Sequence, residues 1–121
     1  MKKILILLLF TSTIYAQTAS YYHDKYNNKK TALGIIFKQD SLYAAHYSLP
    51  FGTKIEITNV VNNKSVIVTI VDRGPYIIKS KKLYKHPSRY IDLSKTAFEL
   101  ISNTKKGIIK IKYKILWSIN L

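Results

Sequence analysis

Two segments of the chain alternate apolar and polar residues, which is the pattern of β-strands with one buried face. The first is a predicted hairpin with a turn at Asn62-Asn63, and its return strand runs on to Asp72-Arg73-Gly74-Pro75. Its predicted inward-facing residues are Ile55, Ile57, Val60, Val66, Val68 and Ile70. The second segment is a predicted terminal strand with lysines on its outer face, and its apolar positions are Ile109, Ile111, Tyr113 and Ile115.

The remaining segments predict one helix and several short strands. Ser94 can cap a helix over residues 95–102, whose predicted apolar face comprises Ala97, Phe98, Leu100 and Ile101. Residues 18–34 predict a strand, a loop centred on residues 27–30 and a return. The basic stretch 77–88 predicts a surface loop. Many short strands with a single helix are typical of a small, mostly β barrel, and 121 residues fit one domain.

The N-terminus has the pattern of a secretory signal peptide. Lys2 and Lys3 precede an apolar run over residues 4–10, and small or polar residues follow up to Ala16. We therefore expect a signal peptide over residues 1–16 and a working domain over 17–121, with Ala19 as the alternative cleavage point and a buried N-terminal strand as the alternative structure. The chain contains no cysteine, so we expect neither disulfides nor lipidation. These features predict an exported protein of the periplasm or the extracellular cell envelope.

The charge is strongly positive, with 20 Lys and Arg against 6 Asp and Glu and a formal net charge of +14. Such a field attracts polyanions. For an exported protein the polyanions are cell-wall and envelope polymers and lipid head groups, and no nucleic acid is expected. A lysine-rich, solvated surface without a dedicated partner is the alternative. No feature of the sequence indicates an oligomer, so we expect a monomer.

Few residues outside the predicted signal peptide can carry acid–base chemistry. The acids of the predicted working domain are Asp24, Asp40, Glu56, Asp72, Asp92 and Glu99. Asp72 and Asp92 each end a predicted buried strand, so the two can meet at one rim of a barrel. Taken alone, Asp72 is also a common turn residue before Gly-Pro, Asp92 a helix N-terminal partner and His46 an ordinary core or surface histidine. The spacing of the histidines with Asp72 matches no metal site, so neither a metal nor a cofactor is expected.

Four motifs in order give a more specific signal. They are "TALGIIF" from Thr31, "AAHYSLPFGT" from Ala44, "DRGP" from Asp72 and "IDLS" from Ile91. Together they resemble the rare lipoprotein A (RlpA-like) family and, more distantly, expansin-like barrels. The resemblance implies a six-stranded double-psi β-barrel with one or two short helices. It also implies lytic transglycosylation of peptidoglycan glycan strands, in which the MurNAc–GlcNAc bond is cut and a 1,6-anhydro sugar end is formed.

The resemblance assigns roles to individual residues. Asp72 of "DRGP" and His46 of "AAH" stand at the family's catalytic positions, with Asp72 as general acid/base, first protonating the glycosidic oxygen and then acting as base. Asp92 of "IDLS" matches a carboxylate that expansin-like barrels place in the glycan groove. Beyond the resemblance, we expect substrate binding by Arg73, which alternatively fixes the turn, by Thr31 of the first motif, and by Tyr22. Tyrosine rings stack on sugars, but they also fill the ends of small barrels.

The chain departs from the family pattern at three polar positions of the first motif. Leu33, Ile35 and Lys38 stand where the family has asparagine, glutamate and aspartate. These changes favour a second hypothesis, a non-catalytic, expansin-like module that binds or loosens wall glycan. A third hypothesis is a polycationic factor whose barrel only displays charge. The retained Asp72 and His46 favour the enzyme.

Overall fold

Six strands close into a barrel in the computed structural model, which describes residues 16–116. The strands of the chain are β1 (Gln17–Tyr21), β2 (Tyr43–His46), β3 (Lys54–Asn59), β4 (Ser65–Asp72), β5 (Tyr76–Lys79), β6 (Lys82–Lys85), β7 (Ile91–Leu93) and β8 (Ile109–Leu116). One α-helix, α1, covers Lys95–Ile101, and short 3-10 turns cover Asp24–Tyr26 and Thr104–Lys106. The barrel order is β1-β7-β2-β4-β3-β8, with β8 paired back to β1. The predicted six-stranded, mainly β fold is confirmed.

Two parallel pairings give the barrel its crossing connections. β1 lies parallel to β7, and β2 lies parallel to β4, while the other neighbours are antiparallel. β2 therefore lies between β4 and β7, although it precedes both in the chain. This placement brings the ends of the "AAH", "DRGP" and "IDLS" segments together on neighbouring strands.

The alternating residues of the predicted strands form the core. The fully buried members include Ile55 and Ile57 of β3, Val68 and Ile70 of β4, Ile111 of β8, and Ile91 and Leu93 of β7. Helix α1 closes this core with Phe98 and Ile101. The prediction is wrong for Val60, which follows the last residue of β3 and is 41% exposed.

Helix α1 begins where the sequence predicts. The Ser94 side chain accepts a hydrogen bond from the Ala97 N–H at 3.4 Å, and Ser94 is itself fully buried. Ala97, Phe98 and Ile101 are buried as predicted, but Leu100 is 54% exposed. The prediction for Leu100 is wrong because one helical turn cannot direct four residues so close in sequence to the same face.

The segment 77–88, predicted to be a loop, mostly belongs to a hairpin. β5 and β6 pair antiparallel in the register Ile78↔Leu83 and Lys79↔Lys82. Ser80 and Lys81, at the turn, both have positive φ, 50° and 62°. This backbone suits a tight hairpin turn, whose usual sequence signal is Asn-Gly or Asp-Gly. The lysine-rich sequence lacks that signal, and the prediction of an irregular loop is therefore wrong.

The predicted signal peptide lies almost entirely outside the described residues and stays a prediction. Between residues 16 and 116, no helix has the length and apolar character needed to cross a membrane.

Replacement of Ile57 by Ala should destabilise the barrel by about 2 to 5 kcal/mol, because it leaves a cavity in a fully buried site. Ile67→Ala is the matched control, since Ile67 lies on the neighbouring strand with 45% of its surface exposed, and its change should be much smaller. Urea unfolding of both variants measures the difference. Equal decreases in the free energy of unfolding would show that burial does not distinguish the two faces of the β3–β4 hairpin.

Candidate active site

The two candidate carboxylates lie on one row of neighbouring residues across four strands. Ala45 of β2 pairs with Asp72 of β4 on one side and with Asp92 of β7 on the other. Asp92 pairs in turn with Ser20 of β1. Only the small, buried Ala45 separates the two acids, which places their backbones about two strand spacings, roughly 10 Å, apart.

A groove of about 480 Å³ opens over this row. Asp72 and Asp92 both line it, together with Arg73 and Arg89. Its aromatic lining residues are Tyr21, Tyr22, Tyr26 and Tyr76, and Ile78 and Leu83 of the β5–β6 hairpin complete one side. The structure thus combines two carboxyl groups, two guanidinium groups and several tyrosines in one open groove.

Asp72 is held by three hydrogen-bond donors. The Tyr22 hydroxyl donates to Oδ2 at 2.6 Å, while the N–H groups of Ala32 and Arg73 donate to Oδ1 at 2.8 and 2.9 Å. These donors fix the orientation of the side chain and solvate the carboxylate form.

The loop that follows the first 3-10 turn is folded so that its backbone reaches Asp72. The Thr31 hydroxyl donates to the Ile35 carbonyl at 3.0 Å, and Gly34 takes a positive φ of 98° that closes the turn. Leu33 N–H donates to the Val71 carbonyl at 3.2 Å, next to the Ala32 contact with Asp72. Thr31 is buried and lies outside the groove lining, so the structure gives it a role in loop shape.

Asp92 has a different environment. It accepts a hydrogen bond from the Ser20 hydroxyl, and Ser20 in turn accepts one from Nη1 of Arg89 at 3.4 Å. Burial raises the pKa of Asp92 above its ordinary value, against the opposing effects of Ser20, Arg89 and His86, and the negative charge of Asp72 raises it further. The protonated form of Asp92 is therefore favoured more than in an exposed aspartic acid.

Tyr22 is part of the support of Asp72 as well as of the groove wall. It is 8% exposed, and its ring stacks on Phe37 with centroids 4.1 Å apart. Burial, followed by the hydrogen bond to Asp72, raises the pKa of Tyr22 far above its usual range. The hydroxyl consequently stays protonated and remains a donor to the carboxylate.

His46 lies near this row but does not line the groove. It is 7% exposed, and its Nδ1 accepts hydrogen bonds from the N–H groups of Ser48 and Leu49, both at 3.0 Å. Its ring packs edge-on against Tyr90 at 4.6 Å. Burial, with smaller effects of Lys85 and Arg73, lowers the pKa of His46 to about 4. At neutral pH it is an uncharged imidazole that shapes the turn after β2.

Arg73 points away from the carboxylate of its neighbour. Its Nη1 donates to the Leu49 carbonyl at 2.8 Å and lies 3.5 Å from the His46 carbonyl, and the guanidinium lies 3.9 Å from the centre of the Phe51 ring. These contacts join the end of β4 to the turn after β2. Adjacent residues at a strand end face opposite ways, which explains why Arg73 forms no ion pair with Asp72.

Ser20 and Arg89 are the site residues that the sequence reasoning missed. Ser20 pairs with Asp92 across the parallel strands β1 and β7, a pairing with no local sequence signal. Arg89 is separated from "IDLS" by Tyr90, and its buried Nε has no hydrogen-bond partner within residues 16–116. Arg89 precedes Asp92 by three positions, which in β alternation would place the two side chains on opposite faces, so the sequence offers no local signal for this arrangement.

No cluster of three His, Asp or Glu side chains between residues 16 and 116 is arranged to hold a metal ion.

Comparison with known proteins identifies the family. A family model described as lytic transglycolase matches residues 14–113. The chain belongs to the lytic transglycolase family. One relative is the "Probable endolytic peptidoglycan transglycosylase RlpA" of Aquifex aeolicus. It is 42% identical to this chain over 98 residues, which cover 81% of this chain and 39% of that protein. The endolytic peptidoglycan transglycosylase RlpA of Rickettsia bellii is 40% identical over 107 residues, which cover 88% of this chain and 43% of that protein.

The predicted resemblance to RlpA-like proteins is confirmed. The chain spans about two fifths of the length of these two relatives. Among solved structures, a mutant expansin of Clavibacter michiganensis in complex with cellohexaose has a TM-score of 0.65 and 19% sequence identity. That match covers 88% of this chain and 52% of the expansin. At 19% sequence identity this structural similarity supports a shared double-psi β-barrel fold and no more than that.

His46 gives a test of structural against catalytic function. His46→Ala should destabilise the protein by about 1 to 3 kcal/mol, because the N–H groups of Ser48 and Leu49 lose their acceptor. His46→Asn keeps an acceptor oxygen for the same turn and should restore most of that stability. Chemical unfolding at pH 7 measures both variants.

The lowered pKa also predicts how stability depends on pH. Between about pH 6.5 and 4 the unfolded chain binds a proton at His46 that the folded protein does not. The stability that neutral His46 contributes is therefore fully present above pH 6.5 and is lost as the pH falls toward 4. The loss should be absent in His46→Asn, measured by unfolding at pH 7 and pH 4.5. A parent protein and variant with identical pH dependence would contradict the buried, neutral histidine.

Proposed function

We propose that this barrel cleaves peptidoglycan glycan strands by lytic transglycosylation in the groove between Asp72 and Asp92. The observation that carries the proposal is the pair of carboxyl groups in one groove with unlike surroundings, Asp72 with three hydrogen-bond donors and Asp92 partly buried with a raised pKa. Unlike environments of two acids are the usual means of separating a proton donor from a proton acceptor. Family membership and the names of the relatives support the substrate class.

The geometry suggests a division of labour between the two acids. Asp92, whose protonated form is favoured, donates its proton to the glycosidic oxygen as the bond from that oxygen to the anomeric carbon of the muramyl residue breaks. The hydroxymethyl oxygen of the same sugar then bonds to the anomeric carbon, and its proton passes to the Asp72 carboxylate. Both acids return to their starting states by proton exchange with solvent, and no water is consumed. The simpler alternative, in which Asp72 serves both as acid and as base, needs only one of them.

The other groove residues support these two. Tyr22 and the Ala32 N–H orient Asp72, Ser20 orients Asp92, and the tyrosine rings offer faces for sugar stacking. Arg73 and Arg89 provide positive charge for the anionic groups of the glycan. His46 is assigned a positioning role, because it shapes the turn whose carbonyl groups hold Arg73.

A second candidate function is glycan binding without cleavage. It is favoured by the position of the loop over residues 30–36, which contacts Asp72 directly and carries Leu33 and Ile35 in place of the family's polar residues. Both side chains are at least 36% exposed. In this case the groove would bind wall glycan and leave it intact.

For either function we place the protein in the cell envelope outside the cytoplasmic membrane. The support for this location is the charge, apolar and small-residue order of residues 1–16 and the location of peptidoglycan itself.

Asp72→Asn and Asp92→Asn should each reduce cleavage at least 100-fold while binding of glycan is retained, because each amide keeps the shape but cannot transfer the proton. Purified glycan strands incubated with the protein are analysed by mass spectrometry for anhydro-ended fragments, and binding is measured by co-sedimentation with insoluble peptidoglycan. Full activity in Asp92→Asn with loss in Asp72→Asn would assign both steps to Asp72. Binding without any anhydro product in the parent protein would establish the second candidate.

Arg89→Gln should extend the active range to higher pH. The positive charge of Arg89 lowers the pKa of Asp92, so its removal raises that pKa and keeps the acid protonated at pH values where the parent has lost its proton. The alkaline limb of the profile of kcat against pH reports this shift. Arg73→Gln is the matched control, since Arg73 is bound to the turn after β2 and is not among the groups that shift Asp92. Equal shifts in both variants would contradict the role of Asp92 as acid.

A further inference from the structure

A second cleft lies at the opposite end of the barrel from the candidate active site. It has a volume of about 560 Å³ and shares no residue with the groove. We call it the lysine cleft, and its characteristic lining residues are Val61, Lys64, Glu99, Lys106, Ile108 and Lys110. It is formed where the β3–β4 turn faces the segment that leads from α1 into β8.

The lysine cleft is a built part of the fold. The side-chain amides of Asn59 and Asn62 both donate to the Ile101 carbonyl, at 2.8 and 3.0 Å, which ties the turn to the end of α1. Val60 N–H donates to the Lys110 carbonyl at 3.2 Å and joins the same turn to β8. The positions of the lining residues are therefore fixed relative to one another.

The surface of the cleft combines free cations with apolar side chains. Lys64, Lys106 and Lys110 are exposed, and none of them forms an ion pair within the described part of the chain. Between them Val61 is 87% exposed and Ile108 is 53% exposed. Glu99 is the acid among the lining residues, so the three lysines leave the cleft positive.

This combination selects among the anionic partners of a basic envelope protein. A soluble phosphate polymer would satisfy the lysines but would leave Val61 and Ile108 in water. An anionic bilayer satisfies both, because its phosphates attract lysines while its interface accepts exposed apolar side chains. We propose that the lysine cleft is a docking surface for an anionic phospholipid bilayer, into which Val61 and Ile108 insert.

The direction of β4 gives this docking a consequence for the groove. Lys64 directly precedes the first residue of β4, and Asp72 is the last. The eight residues of the strand extend over about 25 Å at ~3.3 Å per residue. A barrel docked through the lysine cleft therefore directs its groove away from the bilayer.

The test uses the complete chain and a reporter at the surface itself. The sequence has no cysteine, so Val61→Cys provides a unique attachment point for a polarity-sensitive fluorophore. We expect a blue shift with vesicles that contain phosphatidylglycerol and none with pure phosphatidylcholine vesicles. Leu83→Cys is the matched control, because Leu83 is 64% exposed on the basic β5–β6 hairpin, a competing surface, and its fluorophore should not shift. Residues 1–16 are the same in both proteins.

Charge removal tests the same surface without a label. The triple substitution Lys64→Gln, Lys106→Gln and Lys110→Gln should weaken vesicle partitioning by roughly fivefold per lysine, as expected for lysines near an anionic surface. The substitutions Lys79→Gln, Lys82→Gln and Lys85→Gln remove equal charge from the hairpin and should have a much smaller effect. Cleavage of isolated glycan strands in solution, or their binding if the groove does not cleave, should be unchanged in the triple variant of the lysine cleft.

Three results would overturn the proposal. The first is a fluorophore at position 61 that does not respond to phosphatidylglycerol vesicles. The second is an equal loss of partitioning in the two triple variants, which would reduce the effect to net charge. The third is tighter binding to soluble poly(glycerol phosphate) than to vesicles, which would assign the lysines to an envelope polymer.

Discussion

The pairing of β2 between β4 and β7 is the constraint on which the candidate site depends. Closure of the barrel forces β2 to lie parallel to β4 and antiparallel to β7, and this register sets Ala45 between Asp72 and Asp92. A larger side chain at Ala45 would stand between the two carboxyl groups or push the strands apart, because this position is buried. The geometry of the two acids is thus a property of the whole sheet and not of a local loop.

The same pairing explains why the two acids differ. Asp72 is the last residue of its strand, where N–H groups of a following turn and of a neighbouring loop are free to donate to it. Asp92 lies in the middle of β7, where backbone donors are used by the barrel, the Ser20 hydroxyl donates to its side chain and Arg89 donates to that same Ser20. Position along the strand therefore determines which donors reach each carboxyl group, and the desolvation of Asp92 raises its pKa.

Local pattern predicted much of this fold and only part of the site. Alternation placed β3, β4 and β8, and a capping serine placed the start of α1, because those signals act within a few residues. The β5–β6 hairpin was missed because its turn lacks the usual residues. Ser20 was missed because its contact with Asp92 depends on a parallel pairing between strands some 70 positions apart, and Arg89 was missed because its hydrogen bond in the site goes to Ser20. His46 illustrates the converse, since its motif marked it for attention while its burial and its two backbone donors became visible only in three dimensions.

The β5–β6 hairpin has a further consequence for how such a protein behaves in concentrated solution. Barrel closure leaves the six other strands without a free edge, so within residues 16–116 the exposed edges of paired strands belong to this hairpin. Unpaired strand edges promote association between molecules, and lysines along them oppose it by repulsion. Lys79, Lys82 and Lys85 lie along these two short strands. Part of the chain's large positive charge thus acts as protection against sheet-to-sheet aggregation, independently of any partner that the charge attracts.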